Sequence, residues 1–147
     1  MFRINWVLTG ELAIGPAPRA QRHLDRLEQA GVRSVLSLTG EAEALLPSTI
    51  AERFAWIRLV LPDHRSDRLV QVEELEHALV MVAELRQQGP VFVHCLAAME
   101  RSPLVCLAWL RRQRGLDRFQ ALDYLMQIHS GTCPLPAQLA ILDRMDL

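Results

Sequence analysis

No lysine occurs anywhere in this chain of 147 residues, so all 16 of its Lys-or-Arg positions are arginine. Arginine is therefore the only strong cation available to an anion site. Cysteine is scarce as well: there are three, an odd number, with no Cys-x-x-Cys pair. That count excludes a disulfide framework and a structural zinc site, and it fits a reduced, cytoplasmic setting. No apolar run approaches the roughly eighteen residues of a membrane-spanning helix. The opening MFRINWVLTGELAIG has no basic segment followed by a long apolar one, so no signal peptide is expected. The net charge of −1 predicts no bulk attraction to nucleic acid or to an anionic membrane. No repeat or low-complexity tract breaks the chain, and one domain over 1–147 is expected.

What is present is a core. Half of the residues are hydrophobic, enough for an ordinary globular domain of this length. Strand-like pieces at Asn5–Leu8 and Leu12–Ile14 end at Gly15-Pro16. Arg19–Ala30 places Leu24 and Leu27 on one helical face and stops at Gly31. Ser34–Leu38 reads as a buried strand, Glu41–Leu46 as a short helix and Trp56–Leu61 as another strand, followed by the loop PDHRSDR. Val72–Gln88 carries Leu75, Leu79, Val82 and Leu85 at helical spacing. A short strand, Val91–His94, precedes three helices at Pro103–Arg114, Asp117–Ile128 and Ala137–Met145. Trp56, Trp109 and Tyr124 lie among apolar residues and are expected in the core. Strands alternating with helices predict an α/β fold with a mainly parallel central sheet flanked by helices. Sites in such sheets form at the carboxyl ends of strands, where His94-Cys95 and Leu61-Pro62-Asp63 both fall.

Cys95 and Arg101 are six residues apart, but so are Cys106 and Arg112, so spacing alone is no evidence. The second pair lies within one expected helix, where six steps of about 100° leave the side chains far apart around the axis. Cys106 is a packing residue on this reading. The first pair spans a strand-to-helix turn, with Ser102 suited to cap a helix and Pro103 to open it. Unpaired amides from Leu96 to Arg101 would then face one small volume, a geometry for a phosphate-sized dianion. A thiolate at the base of that cradle is stabilised by the same amides and by Arg101, and arginine can hold two phosphate oxygens at once. The combination suits attack of sulfur on phosphorus.

His-Cys-x5-Arg-Ser after a short apolar strand resembles the cysteine-dependent protein tyrosine phosphatase superfamily. The small size, LDRLEQAGVRSVLSL (24–38) and CPLPAQLAIL (133–142) resemble its dual-specificity phosphatase-like branch, over roughly residues 5–145. The resemblance implies a phosphomonoester hydrolase with a cysteinyl-phosphate intermediate, a phosphate-binding loop between a strand and a helix, and no cofactor or metal. Carried onto this chain, Cys95 is the nucleophile and Arg101 the phosphate ligand. Ser102 assists departure of the thiolate, His94 supports the loop, and Leu96, Ala97, Ala98, Met99 and Glu100 form the cradle. Asp63 is the general acid, with Asp67 and His64 as rivals on the same loop. Arg65 and Arg68 either meet an anionic substrate or are solvated.

Two cradle positions depart from the pattern. Ala98 stands where the family usually has glycine, and Glu100 places a carboxylate beside the binding arginine, pointing outward or bracing a neighbouring arginine. These departures support an alternative: a phosphate-binding pseudophosphatase adaptor with little turnover. A sulfurtransferase or thiol arsenate reductase is a third reading, opposed by Ser102 and the upstream aspartate. The cradle has no basic residue of its own, which favours a singly phosphorylated group on a protein or small molecule over a highly anionic inositol phosphate. Cys133 is a candidate partner for an oxidised Cys95.

Overall fold

The computed structural model describes residues 1–146. Five four-residue strands form one sheet: β1 (Asn5–Leu8), β2 (Leu12–Gly15), β3 (Ser34–Ser37), β4 (Ala55–Arg58) and β5 (Val91–His94), in the order β1-β2-β5-β3-β4. Only the β1–β2 pair is antiparallel, so the expected mainly parallel α/β architecture is observed. The helices are α1 (Gln21–Gln29), α2 (Ile50–Arg53), α3 (Val72–Arg86), α4 (Arg101–Arg114), α5 (Arg118–Ile128) and α6 (Pro136–Leu142).

Strand side chains alternate between faces, and here both faces are covered. Leu12, Ile14, Leu36, Val91 and Val93 point into the larger core, shared with α3, α4, α5 and α6. Ala13, Val35 and Phe92, one residue out of phase, meet Leu24 and Leu27 of α1 and Ile50 and Phe54 on the other side. This double burial explains why the strands read as continuous apolar runs. Gly15 is required at the end of β2, because a Cβ there would lie 2.2 Å from the Arg3 carbonyl oxygen.

Three expectations need correction. Residues 41–46 form no helix: 41–43 make a turn and 44–46 are irregular, with Ala44 buried and Leu46 packed on the smaller core while Leu45 is 86% exposed. The short helix of this region is α2, further along. Helix α4 begins at Arg101 with Glu100 at its cap position, so Ser102 is not the cap. The first helical bond runs from the Leu104 amide to the Glu100 carbonyl, and Pro103 sits in the first turn, where no N–H is needed. Tyr124 is 37% exposed and outside the core, its hydroxyl donating to the Val7 carbonyl oxygen.

Candidate active site

The loop after β5, the loop after β4 and the segment before α6 converge on a cleft of about 420 Å³. Cys95, Arg101 and Asp63 all line it, with Leu96, Ala97, Met99, Glu100, Cys133 and Leu135. Cys95 is buried at its base, 2% exposed, and its Sγ lies 3.2 Å from the Ser102 hydroxyl. Ser102 reaches the sulfur because it occupies the first turn of α4. Among the described residues, no amide from Leu96 to Glu100 donates a hydrogen bond to the protein. The loop carbonyls, by contrast, are tied outward. The Ala17 amide donates to Leu96 (3.1 Å), the Cys133 amide to Met99 (2.7 Å) and His129 Nε2 to Ala98 (2.7 Å). Carbonyls turned out leave N–H groups turned in, the polarity an anion requires.

Ala98 has φ +59°, making it the one non-glycine residue with positive φ among those described. The position therefore does demand the left-handed conformation, at a cost to alanine of roughly 1 kcal/mol. Its side chain is fully buried. Glu100 braces no arginine: Oε1 accepts the His64 amide (2.7 Å) and Oε2 lies 3.1 Å from His64 Nδ1. The odd carboxylate of the cradle thus ties it to the loop that carries Asp63.

Arg101 is 2% exposed and held from several sides. Nη1 and Nη2 grip Glu43 at 3.1 and 2.7 Å, and Nη1 also donates to the carbonyls of Leu38 and Leu61. Its Nε is buried without a partner among the described residues. Burial disfavours the guanidinium charge, but Glu43, the Cys95 sulfur and Asp63 outweigh it and hold the pKa above the ordinary arginine value. Burial likewise opposes ionisation of Glu43, yet Arg101 and the Gly40 amide keep it below the usual carboxylate range. Glu43 escaped the sequence reading because nothing in GEAEALL marks it. The available signal was a buried arginine needing a counter-charge near the end of β3.

Asp63 faces the cleft, whereas Asp67 is exposed outside it. The Asp63 carboxylate accepts from the Arg65 amide (3.0 Å) and Arg65 Nε (2.9 Å), and lies 4.0 Å from Arg101 Nη2. Burial pushes its pKa up, but the Arg65 bonds and the Arg101 charge prevail, leaving it below the ordinary aspartate value. Arg68 instead grips Glu74 at the start of α3.

His94 is fully buried. Its Nδ1 donates to the Cys95 carbonyl (2.9 Å), and Nε2 accepts the Ser37 hydroxyl (2.6 Å), which itself accepts Trp56 Nε1–H (2.8 Å). This chain of bonds fixes one neutral tautomer beneath the loop. Cys106 is an inert packing thiol, its pKa pushed well up by burial and by the neighbouring Cys95. Cys133 is exposed at the cleft mouth.

This arrangement agrees with the similarity to known proteins. Human dual specificity protein phosphatase 6 is 30% identical over 113 residues, covering 76% of this chain but 29% of that protein. The chain thus spans under a third of that relative's length. The crystal structure of Tk-PTP in the active form superposes with a TM-score of 0.80 at 25% identity, covering 97% of this chain and 95% of that one. The human tyrosine phosphatase-like serine/threonine/tyrosine-interacting protein shares the fold, with a TM-score of 0.80 at 19% identity, covering 96% and 93%. Residues 12–144 match the catalytic-domain profile of the dual specificity phosphatases, and the chain belongs to that family.

Proposed function

We propose that the chain hydrolyses phosphomonoesters, with a phosphorylated protein as substrate, through a phosphocysteine on Cys95. The carrying observation is the buried, unpartnered Nε of Arg101 in the cleft that also holds the Cys95 sulfur and the Asp63 carboxyl. A phosphate oxygen supplies the acceptor that this nitrogen lacks, while the inward amides of the cradle take the remaining oxygens.

In the first step the Cys95 thiolate attacks phosphorus; an S–P bond forms, the P–O bond breaks, and Asp63 as an acid protonates the departing oxygen. In the second, water attacks phosphorus, Asp63 takes the water proton, and the S–P bond breaks with the Ser102 hydroxyl donating to the released sulfur. Amides and Arg101 hold the equatorial oxygens throughout. Asp63 is ionised in the resting protein, held by Arg65, whose side chain is 60% exposed and free to swing out. An arriving phosphate dianion raises the proton affinity of Asp63 and draws Arg65 away, so the acid is charged with its proton when substrate binds. The Glu100–His64 tether supports this step by keeping the Asp63 loop over the cradle.

The adaptor reading loses its support here, since Ala98 is accommodated in the left-handed conformation and Glu100 is engaged away from the cradle interior. The test is turnover of an aryl phosphate by the purified chain. Hydrolysis blocked by vanadate and abolished in Cys95→Ser is expected; full activity in Cys95→Ser overturns the mechanism.

A further inference from the structure

A second cavity, about 540 Å³, lies on the α1 side of the same sheet edge. Phe2, Pro16 and Ala17 form its apolar floor, and Arg19, Arg22 and Arg26 its rim; no carboxylate lines it. Most arginines of this chain sit within 4.0 Å of a carboxylate, but these three do not, among the described residues.

The sequence of α1 segregates the charge. Arg22, His23 and Arg26 share one stripe of the helix by their three-and-four spacing, and Arg19 lies just ahead of it, before the extended Ala20. The acids of the helix, Asp25 and Glu28, fall on another stripe, where both are drawn to Arg53 at 2.6 and 2.8 Å. The carboxylates that could neutralise the basic stripe are thus held on the other side of the helix. Arg26 is anchored at the rim, donating to the Phe2 carbonyl with its guanidinium over the Phe2 ring. Arg19 and Arg22 are exposed and free. His23, stacked on Phe2, accepts the Arg19 amide at 3.0 Å and stays neutral; burial and the charges of Arg22 and Arg26 hold its pKa below the ordinary value.

The cavity adjoins the catalytic cleft. Ala17 in its floor donates to the carbonyl of Leu96, the residue after Cys95, and Gly15 of β2 pairs in register with His94 of β5. An extended peptide advances about 3.3 to 3.6 Å per residue, so a side chain two to four positions from a phosphoresidue in the cleft spans roughly 7 to 14 Å. Resting on the phosphatase reading, we propose that Arg19, Arg22 and Arg26 dock an acidic segment of the phosphoprotein substrate beside its phosphorylated residue. This gives the enzyme a sequence preference that its cradle, with no basic residue between Cys95 and Arg101, does not supply.

The test compares three substrates: an aryl phosphate, a phosphopeptide flanked by Asp and Glu, and the same peptide with Asn and Gln. Wild type should favour the acidic peptide, with a preference that fades as salt rises. The Arg19→Ala/Arg22→Ala double variant should lose about five- to tenfold in kcat/KM on the acidic peptide, as expected for two exposed charge pairs. It should be unchanged on the aryl phosphate and the neutral peptide, and Arg22→Glu should turn the preference towards a Lys- and Arg-flanked peptide. Equal losses on all three substrates, no wild-type preference, or arginine-dependent binding to phosphoinositide vesicles without peptide selectivity would each overturn the proposal. Failure of the phosphatase reading shows separately, as no aryl phosphate turnover by wild type. Anisotropy of the labelled acidic peptide, wild type against the double variant, then decides the docking site by itself.

Discussion

Lowering the pH through the range of an ordinary histidine perturbs one buried group at the heart of this site, the His94 imidazole. Burial is the main force holding its pKa down to about 4; the bond to the Cys95 carbonyl opposes it, and the charges of Arg58 and Arg101 add to it. The geometry agrees, because a proton on Nε2 would face the hydrogen of the Ser37 hydroxyl. The unfolded chain takes up this proton near pH 6.5, whereas the folded chain refuses it until about pH 4. Between those values the unfolded state binds more protons, so stability is complete above pH 6.5 and falls as pH falls. At 1.36 kcal/mol per pKa unit the loss reaches about 3 kcal/mol near pH 4 and about 1 kcal/mol at pH 5.5. That is a large part of the 5 to 15 kcal/mol typical of a domain. Urea denaturation at pH 7.5, 5.5 and 4.5, followed by tryptophan fluorescence, measures it. His94→Asn should be less stable at every pH, from the lost ring, yet show a flatter pH dependence. His23 is shifted in the same direction, and a His23→Gln control removes its share. The depressed carboxylates Glu28, Glu43, Asp63, Glu74 and Glu76 begin to contribute only below about pH 5.5, so the histidine slope is read between pH 6.5 and 5.5. Wild-type stability that stays level from pH 6.5 to 5.5, or a slope in that window that survives in His94→Asn, refutes the reasoning.

Arg65→Ala removes the main hydrogen bonds that depress Asp63. The basic limb of the pH–rate profile should move up, by less than one pH unit, because an exposed pair of this kind is worth at most about 1 kcal/mol. A downward move on aryl phosphate would contradict the assignment of Asp63 as acid. Glu43→Ala strips the buried Arg101 of its counter-charge and should cost about 2 to 4 kcal/mol in urea titrations while raising KM, with Glu43→Gln milder because one acceptor remains. Glu100→Ala frees the Asp63 loop and should lower kcat several-fold on substrates with poor leaving groups, leaving vanadate affinity unchanged. Glu100→Gln, which still accepts the His64 amide, should restore most of it. Ala98→Gly relieves roughly 1 kcal/mol of backbone strain but forfeits a buried methyl worth about 0.8 kcal/mol and loosens the unfolded chain. The thermal midpoint should therefore barely move; a shift of many degrees either way would mean the loop is held differently.

The fold was legible in the sequence wherever burial imposed a period. Strands β1 and β5 fall at their expected limits, and the helix expected from Val72 starts there, where Glu74 accepts the Gln71 amide. Legibility failed where side chains, not periodicity, set the backbone. Residues 41–46 look helical because they are Ala, Glu and Leu, but Glu43 is committed to Arg101 and the Gly40 amide, and Leu45 has nothing to pack against. The start of α4 was misplaced because Ser102 and Pro103 are good opening residues in isolation. Here the opening is set by the cradle, and the hydroxyl is spent on the Cys95 sulfur. Cys95, Arg101 and Asp63, expected near one another from the sequence, line one cleft because the loops that carry them follow recognisable strands. Glu43 and His129 were missed because each acts across more than thirty positions of sequence, with |i−j| of 58 for Glu43 and Arg101 and 31 for His129 and Ala98.

The supports of the cradle explain how it tolerates alanine at a left-handed position. A loop that depended on its own residues for shape would need glycine there. This one is fastened by the Ala17 amide after β2, by His129 at the end of α5, by Cys133 before α6 and by the hydrogen-bonded Arg101 at its exit. His129 is itself set by Asn5 of β1, 2.8 Å from its Nδ1. Each fastening takes a carbonyl or a guanidinium and none takes a cradle amide, so the contacts that impose the strained conformation also orient the amides inward. The roughly 1 kcal/mol of strain at Ala98 is smaller than the combined contribution of the three bonds to the loop carbonyls, at about 0.5 to 1.5 kcal/mol each. Conformation at this site is therefore specified by the surrounding elements, and alanine can stand in the left-handed, fully buried position 98 while the anion cradle keeps its shape.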